Sequence, residues 1–93
     1  MHNKKYRLTK LEEFKKHNHI YDNIEGAICY IAYFNVGDRG WFLCECDDWY
    51  EPVHRIHTSE VRNIQYIEED KIIVTTKNSR YTFVVETARG KSL

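Results

Sequence analysis

Residues 71–86 read KIIVTTKNSRYTFVVE, and this stretch indicates the fold most clearly. Two runs rich in β-branched and aromatic residues flank Asn78-Ser79, and such residues favour strands. Asparagine tolerates the positive φ that a two-residue hairpin loop requires. We therefore predict an antiparallel hairpin with strands at 71–77 and 80–86. Alternate positions of the second strand share one face, which is formed by Tyr81, Phe83 and Val85.

The strand periodicity continues upstream of this hairpin. The run at 27–34 is almost wholly apolar, which is typical of a strand covered on both faces. Further strand-like segments at 41–46, 53–57 and 61–68 are separated by turn-forming residues. Short strands joined by tight turns in a small chain most often close into a barrel. We therefore predict about five antiparallel strands across 24–86 that form a small, partly open barrel.

The N-terminal part predicts one helix, at residues 9–18. Thr9 and Glu12 have the spacing of a capping box, in which each side chain bonds to a backbone N–H at the helix start. Leu11 and Phe14 fall on one helical face. A helix of this length is not stable alone, so we expect it to dock on the barrel.

Length and composition indicate a single domain spanning 1–93. Ninety-three residues, of which 42% are hydrophobic and 30% charged, are typical of one globular unit with one modest core. We predict a flexible arm at 1–8, the helix and barrel after it, and a tail at 87–93. The predicted fold class is therefore α+β.

Charge and cysteine usage bear on the class of partner and on the compartment. The net charge is zero, which gives no general attraction to nucleic acid, but residues 1–20 carry a net +4 and residues 21–52 a net −6. This division suits a partner of opposite charge or a homo-oligomer. The chain has three cysteines, an odd number, and no apolar run of membrane-spanning length, and its first residues lead us to expect no signal peptide. We therefore predict free thiols in a reducing cytoplasm, without membrane association.

The sequence contains no recognisable set of catalytic residues. The phosphate-binding, dinucleotide-binding and zinc-protease motifs are absent. Acidic residues around Cys44 and Cys46 disfavour a thiolate nucleophile. We therefore predict a binding protein that is not an enzyme and uses no cofactor.

The first candidate site is an acidic aromatic loop. Tryptophan and tyrosine commonly anchor protein interfaces, and an acidic rim suits a basic partner. The predicted partner-binding residues are Asp47, Asp48, Trp49, Tyr50 and Glu51. In the alternative reading, Trp49 turns inwards as core and Tyr50 covers the barrel end.

The second candidate is a zinc site formed by Cys44, Cys46, His54 and His57. Two thiolates and two imidazoles are a suitable zinc set, but C-x-C followed by H-x-x-H is not the spacing of a standard finger. The alternative is a pair of small buried cysteines and two surface histidines. We expect no bound metal.

Residues 56–61 and 72–81 resemble small phage and prophage proteins, in which a TS-x-V corner precedes a strand and a T-x-N-S-x-Y hairpin follows it. The resemblance implies an SH3-like barrel and an accessory role encoded by a mobile element. It further implies an inhibitor of bacterial defence in the host cytoplasm. Such an inhibitor either blocks a host protein or sequesters a small nucleotide ligand.

Residues 53–63 also resemble the C-terminal part of LytTR-type DNA-binding domains. That resemblance implies DNA contacts by His54, Arg55, His57 and Ser59, to which Arg62 adds a neighbouring cation. A small DNA-binding transcriptional regulator is therefore the second-ranked function.

Overall fold

The computed structural model describes residues 4–14, 24–45 and 52–86. Each strand in these ranges runs antiparallel to the next, and the last strand returns to pair with the first. The result is a closed barrel in the order β1-β2-β3-β4-β5-β6. The strands are β1 (Tyr6–Glu13), β2 (Ile28–Tyr33), β3 (Arg39–Glu45), β4 (Val53–Ile67), β5 (Lys71–Thr76) and β6 (Ser79–Val85).

The prediction of an α+β fold with a helix at 9–18 is wrong. Residues 9–13 lie in β1, and the stretch from 15 to 18 lies outside the described residues. A capping interaction contributes only about 1 kcal/mol. In the barrel, β1 instead pairs with β6 along one edge from Tyr6 to Glu13, and Leu8 is completely buried, which alone contributes about 1.5–3 kcal/mol. The local helix signals are therefore outweighed by pairing with the other end of the chain.

The prediction of a partly open barrel is also wrong, for the same reason. The predicted strands did not include β1. This strand lies between β2 and β6 and pairs with both, so that the sheet closes on itself. β1 includes Tyr6–Leu8, which the sequence assigned to a flexible arm. Closure removes the unpaired edges that an open sheet would present. The predicted tail at 87–93 lies outside the described residues.

The hairpin at 71–86 is present, with its turn displaced by one residue. Thr75 pairs with Arg80, so the two loop residues are Lys77 and Asn78. Neither of them has a positive φ. The hydroxyl of Thr76 instead stabilises the turn, because it accepts a hydrogen bond from the Ser79 N–H at 3.0 Å and donates to the Ser79 carbonyl at 3.1 Å.

Aromatic rings fill the barrel. Phe42 and Phe83 are fully buried and meet edge to face, with ring centroids 5.2 Å apart. Tyr81 packs edge to face on Phe42 at 5.6 Å. The remaining buried hydrophobic side chains in the described residues are Leu8, Ile24, Cys29, Cys44, Ile56, Val61 and Val74.

β4 is a single long strand that bends in the middle. Its first half pairs with β3 and its second half with β5. At the bend, Thr58 and Ser59 together lie opposite Gly40, because Arg39 pairs with Glu60 and Trp41 with His57. Such a bulge increases the twist of a strand and bends it. The segments predicted as separate strands at 53–57 and 61–68 are thus one continuous strand, and the turn expected between them is a bulge.

Gly40 allows this bend. A Cβ at residue 40 would collide with the ring of Phe34 and would lie 2.8 Å from the Tyr33 carbonyl oxygen. The space that a side chain would need is therefore occupied. The Gly40 N–H donates instead to the Thr58 hydroxyl at 3.0 Å, which ties β3 to the bulge.

Candidate functional site

A chain of hydrogen bonds joins the β4 bulge to the β5–β6 turn. The Asn78 N–H donates to Ser59 Oγ at 3.0 Å, and Ser59 Oγ donates to Thr76 Oγ1 at 2.9 Å. Thr76 continues the chain to the Ser79 carbonyl. Consecutive hydrogen bonds polarise and strengthen one another in a partly buried setting. The two stretches that carry the phage-protein resemblance are thus held together at one end of the barrel.

Thr58 fixes the other side of the bulge. It is almost fully buried, and its hydroxyl accepts from Gly40 and donates to the Ser59 carbonyl at 2.7 Å. The Thr58 carbonyl accepts from Arg39 Nε at 3.0 Å. The backbone and the hydroxyls at this end are therefore held by side-chain hydrogen bonds as well as by the sheet.

A cleft of about 470 Å³ opens beside this network. It combines cations, hydroxyls, one amide and one carboxylate with the edge of a buried tyrosine. Its walls come from the start of β3, the bulge of β4, and the β5–β6 turn with the start of β6. The lining residues are Arg39, His57, Thr58, Ser59, Glu60, Lys77, Asn78, Ser79 and Tyr81.

The charged side chains that line the cleft differ in whether they have a partner of opposite charge. Arg39 and Lys77 are exposed, and neither forms an ion pair within the described part of the chain. Glu60, the one carboxylate of the lining, is 3.6 Å from Arg62 Nε. The cleft therefore offers two cations without a carboxylate partner, whereas its carboxylate already has a cation nearby.

An aromatic pair adjoins the cleft on the outer surface of the barrel. Trp41 and His57 are cross-strand partners, with their rings stacked at 6.1 Å and 28°. The Arg55 guanidinium lies over the indole, 4.7 Å from the ring centroid. His57 belongs to both features, because it also lines the cleft.

The predicted DNA contacts do not share one surface. Arg55 and His57 are exposed beside Trp41, whereas His54 is the cross-strand partner of the buried Cys44. Ser59 is engaged in the hydrogen-bond chain described above. Arg62 is exposed on the other side of the bulge, next to Glu60. The structure thus brings together two of the five residues as one exposed basic patch.

The predicted zinc ligands are divided in the same way. Cys44 pairs with His54, whereas His57 lies on the outer face with Trp41. Cys46 lies outside the described residues. In the ranges that the structure covers, no three His, Cys, Asp or Glu side chains are grouped as metal ligands.

Cys44 also lies opposite a second cysteine, Cys29. They are cross-strand partners on β2 and β3, and both are fully buried. A hydrogen bond with Cys44, together with burial, raises the pKa of Cys29. A thiol held in its protonated form is a poor nucleophile.

The acidic aromatic loop at 47–51 lies outside the described residues, so partner binding by Asp47, Asp48, Trp49, Tyr50 and Glu51 stays a prediction. Sequence reasoning did not single out Arg39 or Asn78 as site residues. Arg39 follows a turn and Asn78 lies in a hairpin loop, and nothing local shows that the bulge brings these turns together.

No protein-family model, curated protein or solved structure matches this chain. The fold and the site define it as a small closed six-stranded antiparallel barrel with a polar, cation-lined cleft at one end. Across residues 4–14, 24–45 and 52–86, no helix has the length and apolar character needed to cross a membrane.

Proposed function

We propose that the protein is a non-enzymatic binding protein that captures a small anionic ligand in the cleft. The observation that supports this most strongly is the pair of cations at the cleft, Arg39 and Lys77, which lack carboxylate partners in the described part of the chain. Guanidinium and ammonium groups are the usual protein ligands of phosphate and carboxylate.

The rigidity of the cleft supports the same proposal. Ser59 and Thr76 hold the β5–β6 turn against the bulge, and Thr58 holds the start of β3. Arg39 and Lys77 flank these fixed points on different elements. A site whose backbone is already ordered loses less conformational entropy when a ligand binds.

This proposal favours one form of the inhibitor implied by the phage-protein resemblance. An accessory protein of a mobile element, acting in the host cytoplasm, would remove a small anionic signal by sequestering it. The other form, in which the protein blocks a host protein, depends on the loop at 47–51. The cleft gives the sequestering form a specific site, so we rank it first.

Calorimetric titration with inorganic pyrophosphate tests the proposal. The wild-type chain is expected to bind it, and Lys77→Gln is expected to weaken binding at least about tenfold, as for the loss of a charge-assisted hydrogen bond of about 1.5–3 kcal/mol. Lys71→Gln is the matched control, because Lys71 begins the same strand that Lys77 follows and lies at its far end. Absence of binding, or equal losses in both variants, would contradict the proposal.

A DNA-binding regulator is the second candidate, and one observation favours it. Arg55 and His57 are neighbouring exposed groups on β4, beside Trp41. A duplex contact there would weaken steeply as salt concentration rises, in proportion to the number of phosphates neutralised. A sequence-specific gel shift that Arg55→Gln abolishes would place this function above the first, but we expect no such shift.

A further inference from the structure

We propose that the ligand of the cleft is a nucleotide, with its phosphates between Arg39 and Lys77 and its base against the His57–Trp41 pair. This inference rests on the proposed function and specifies its ligand. His57 connects the two halves of the site, because it lines the cleft and also stacks on Trp41. The proposed site therefore has an anion-binding end in the cleft and an aromatic end at Trp41, and His57 joins the two.

The register of the sheet places the aromatic end on the outer surface of the barrel. Tyr33, Trp41 and His57 are successive cross-strand partners on β2, β3 and β4. His57 is exposed, and Tyr33 is 43% exposed. Arg39 lies two positions before Trp41 on β3, and therefore on the same face. A phosphate at Arg39 and a planar group at Trp41 would be about 6–7 Å apart along the strand.

A nucleotide can gain affinity from base stacking, which a simple anion such as pyrophosphate cannot. Every nucleobase has a flat π surface, and stacking on aromatic side chains or on a guanidinium adds about tenfold or more in affinity. The Arg55 guanidinium over Trp41 supplies such a planar cation beside the rings. A nucleotide would therefore use features of this surface that pyrophosphate leaves unoccupied.

Two observations favour a single nucleotide over a nucleic-acid strand. The cleft volume, about 470 Å³, is in the range of small-ligand pockets. Carboxylates also border the aromatic face, since the Tyr30 hydroxyl donates to Glu45 at 2.7 Å and the Tyr33 hydroxyl donates to Asp38 at 2.6 Å. These negative charges would repel a polyanion that continued across the sheet.

The test compares pyrophosphate with ADP, GDP and UDP on the wild-type chain. At least one nucleoside diphosphate is expected to bind about tenfold more tightly than pyrophosphate. Trp41→Leu is expected to reduce that affinity to the level of pyrophosphate without changing pyrophosphate binding. In a Trp49→Phe background Trp41 is the only tryptophan, and nucleotide, but not pyrophosphate, is expected to quench its fluorescence.

The possible failures are distinguishable. If pyrophosphate and all three nucleotides bind equally and leave the Trp41 emission unchanged, the nucleotide inference is overturned and the anion site stands. If none of the four anions binds, both proposals fail. If a single-stranded oligonucleotide binds more tightly than every mononucleotide, the ligand is a strand and the inference is overturned. The affinity comparison needs no substitution, so it is valid even if Trp41→Leu does not fold.

Discussion

Ser59 Oγ donates a hydrogen bond of 2.9 Å to Thr76 Oγ1, which joins the bulge of β4 to the turn between β5 and β6. Ser59 is half-buried and Thr76 is buried. The same Ser59 oxygen accepts from the Asn78 N–H. One side chain thus completes the hydrogen bonding of two elements that are far apart in sequence.

Ser59→Ala is therefore expected to lower the free energy of unfolding by about 1–3 kcal/mol, because it leaves the Asn78 N–H without its acceptor. Chemical denaturation measures this loss. Thr75→Val is the control, since among the described residues the Thr75 hydroxyl accepts only a long hydrogen bond of 3.4 Å, from Arg80 Nε, and valine suits a strand. Equal stabilities for Ser59→Ala and Thr75→Val would show that the connection contributes nothing.

The first strand gives a second prediction. Leu8 is fully buried among the core side chains, and Leu8→Ala is expected to cost about 2–5 kcal/mol. Phe14, which a docked helix would have buried, is 50% exposed, with the Arg80 guanidinium 5.5 Å from its ring centroid. Phe14→Ala is expected to cost about 0.5–1 kcal/mol, as for an exposed cation–π pair. A larger loss for Phe14→Ala than for Leu8→Ala would contradict the strand assignment.

Leu8 and Phe14 show which part of the fold could be predicted from the sequence and which could not. The hairpin at 71–86 is local, so its composition and turn residues were enough to find it. Residues 9–13 carry helix signals of equal clarity, yet their structure depends on pairing with β6, about 70 residues later. No local pattern contains that information.

The candidate site could be predicted only in part, because it too depends on contacts between distant parts of the chain. The TS and NS stretches were singled out, but their contact depends on the bulge opposite Gly40 and on the register of β5 with β6. Arg39 lies at the cleft beside that bulge, where its Nε donates to the Thr58 carbonyl. A bulge follows from close packing, here the ring of Phe34 over Gly40, and such packing is invisible before the fold is known.

Acid is expected to weaken the closure between β1 and the end of β6. Arg7 Nε and Nη2 donate to the two carboxylate oxygens of Glu86 at 3.0 and 3.1 Å. These hydrogen bonds hold the pKa of Glu86 below its ordinary value of 4.5. The stabilisation is therefore fully present above pH 4.5 and is lost as the pH falls through the lowered pKa.

Melting temperatures of the wild-type chain and of Glu86→Gln, measured from pH 7 to pH 3, test this. The difference between the two curves is expected to be modest at pH 7, because both side chains are partly exposed to solvent, and to shrink towards pH 3. Arg7→Gln should lose the same pH-dependent part and a further, pH-independent part, because Arg7 Nη1 also donates to the Gly26 carbonyl at 2.7 Å. A gap between wild type and Glu86→Gln that stays constant across the range would rule out the pair as its source.

The buried thiols give a prediction about accessibility. In a Cys46→Ser background only Cys29 and Cys44 remain, and both are fully buried. Their labelling by a thiol reagent is expected to require opening of the barrel, so the rate should rise with denaturant in parallel with unfolding. Rapid labelling of both in native buffer would show that the β2–β3 pair opens independently.

We expect the cleft between the β4 bulge and the β5–β6 turn to bind an anion. The most direct measurement is a titration of the ¹⁵N-labelled chain with pyrophosphate, followed by backbone amide chemical shifts. The largest changes are expected at residues 57–60 and 77–79, which line the cleft. Little change is expected at the acidic turn 68–70, at the opposite end of β5. Shifts centred on any other surface, or none at saturating pyrophosphate, would show that the cleft does not bind the anion.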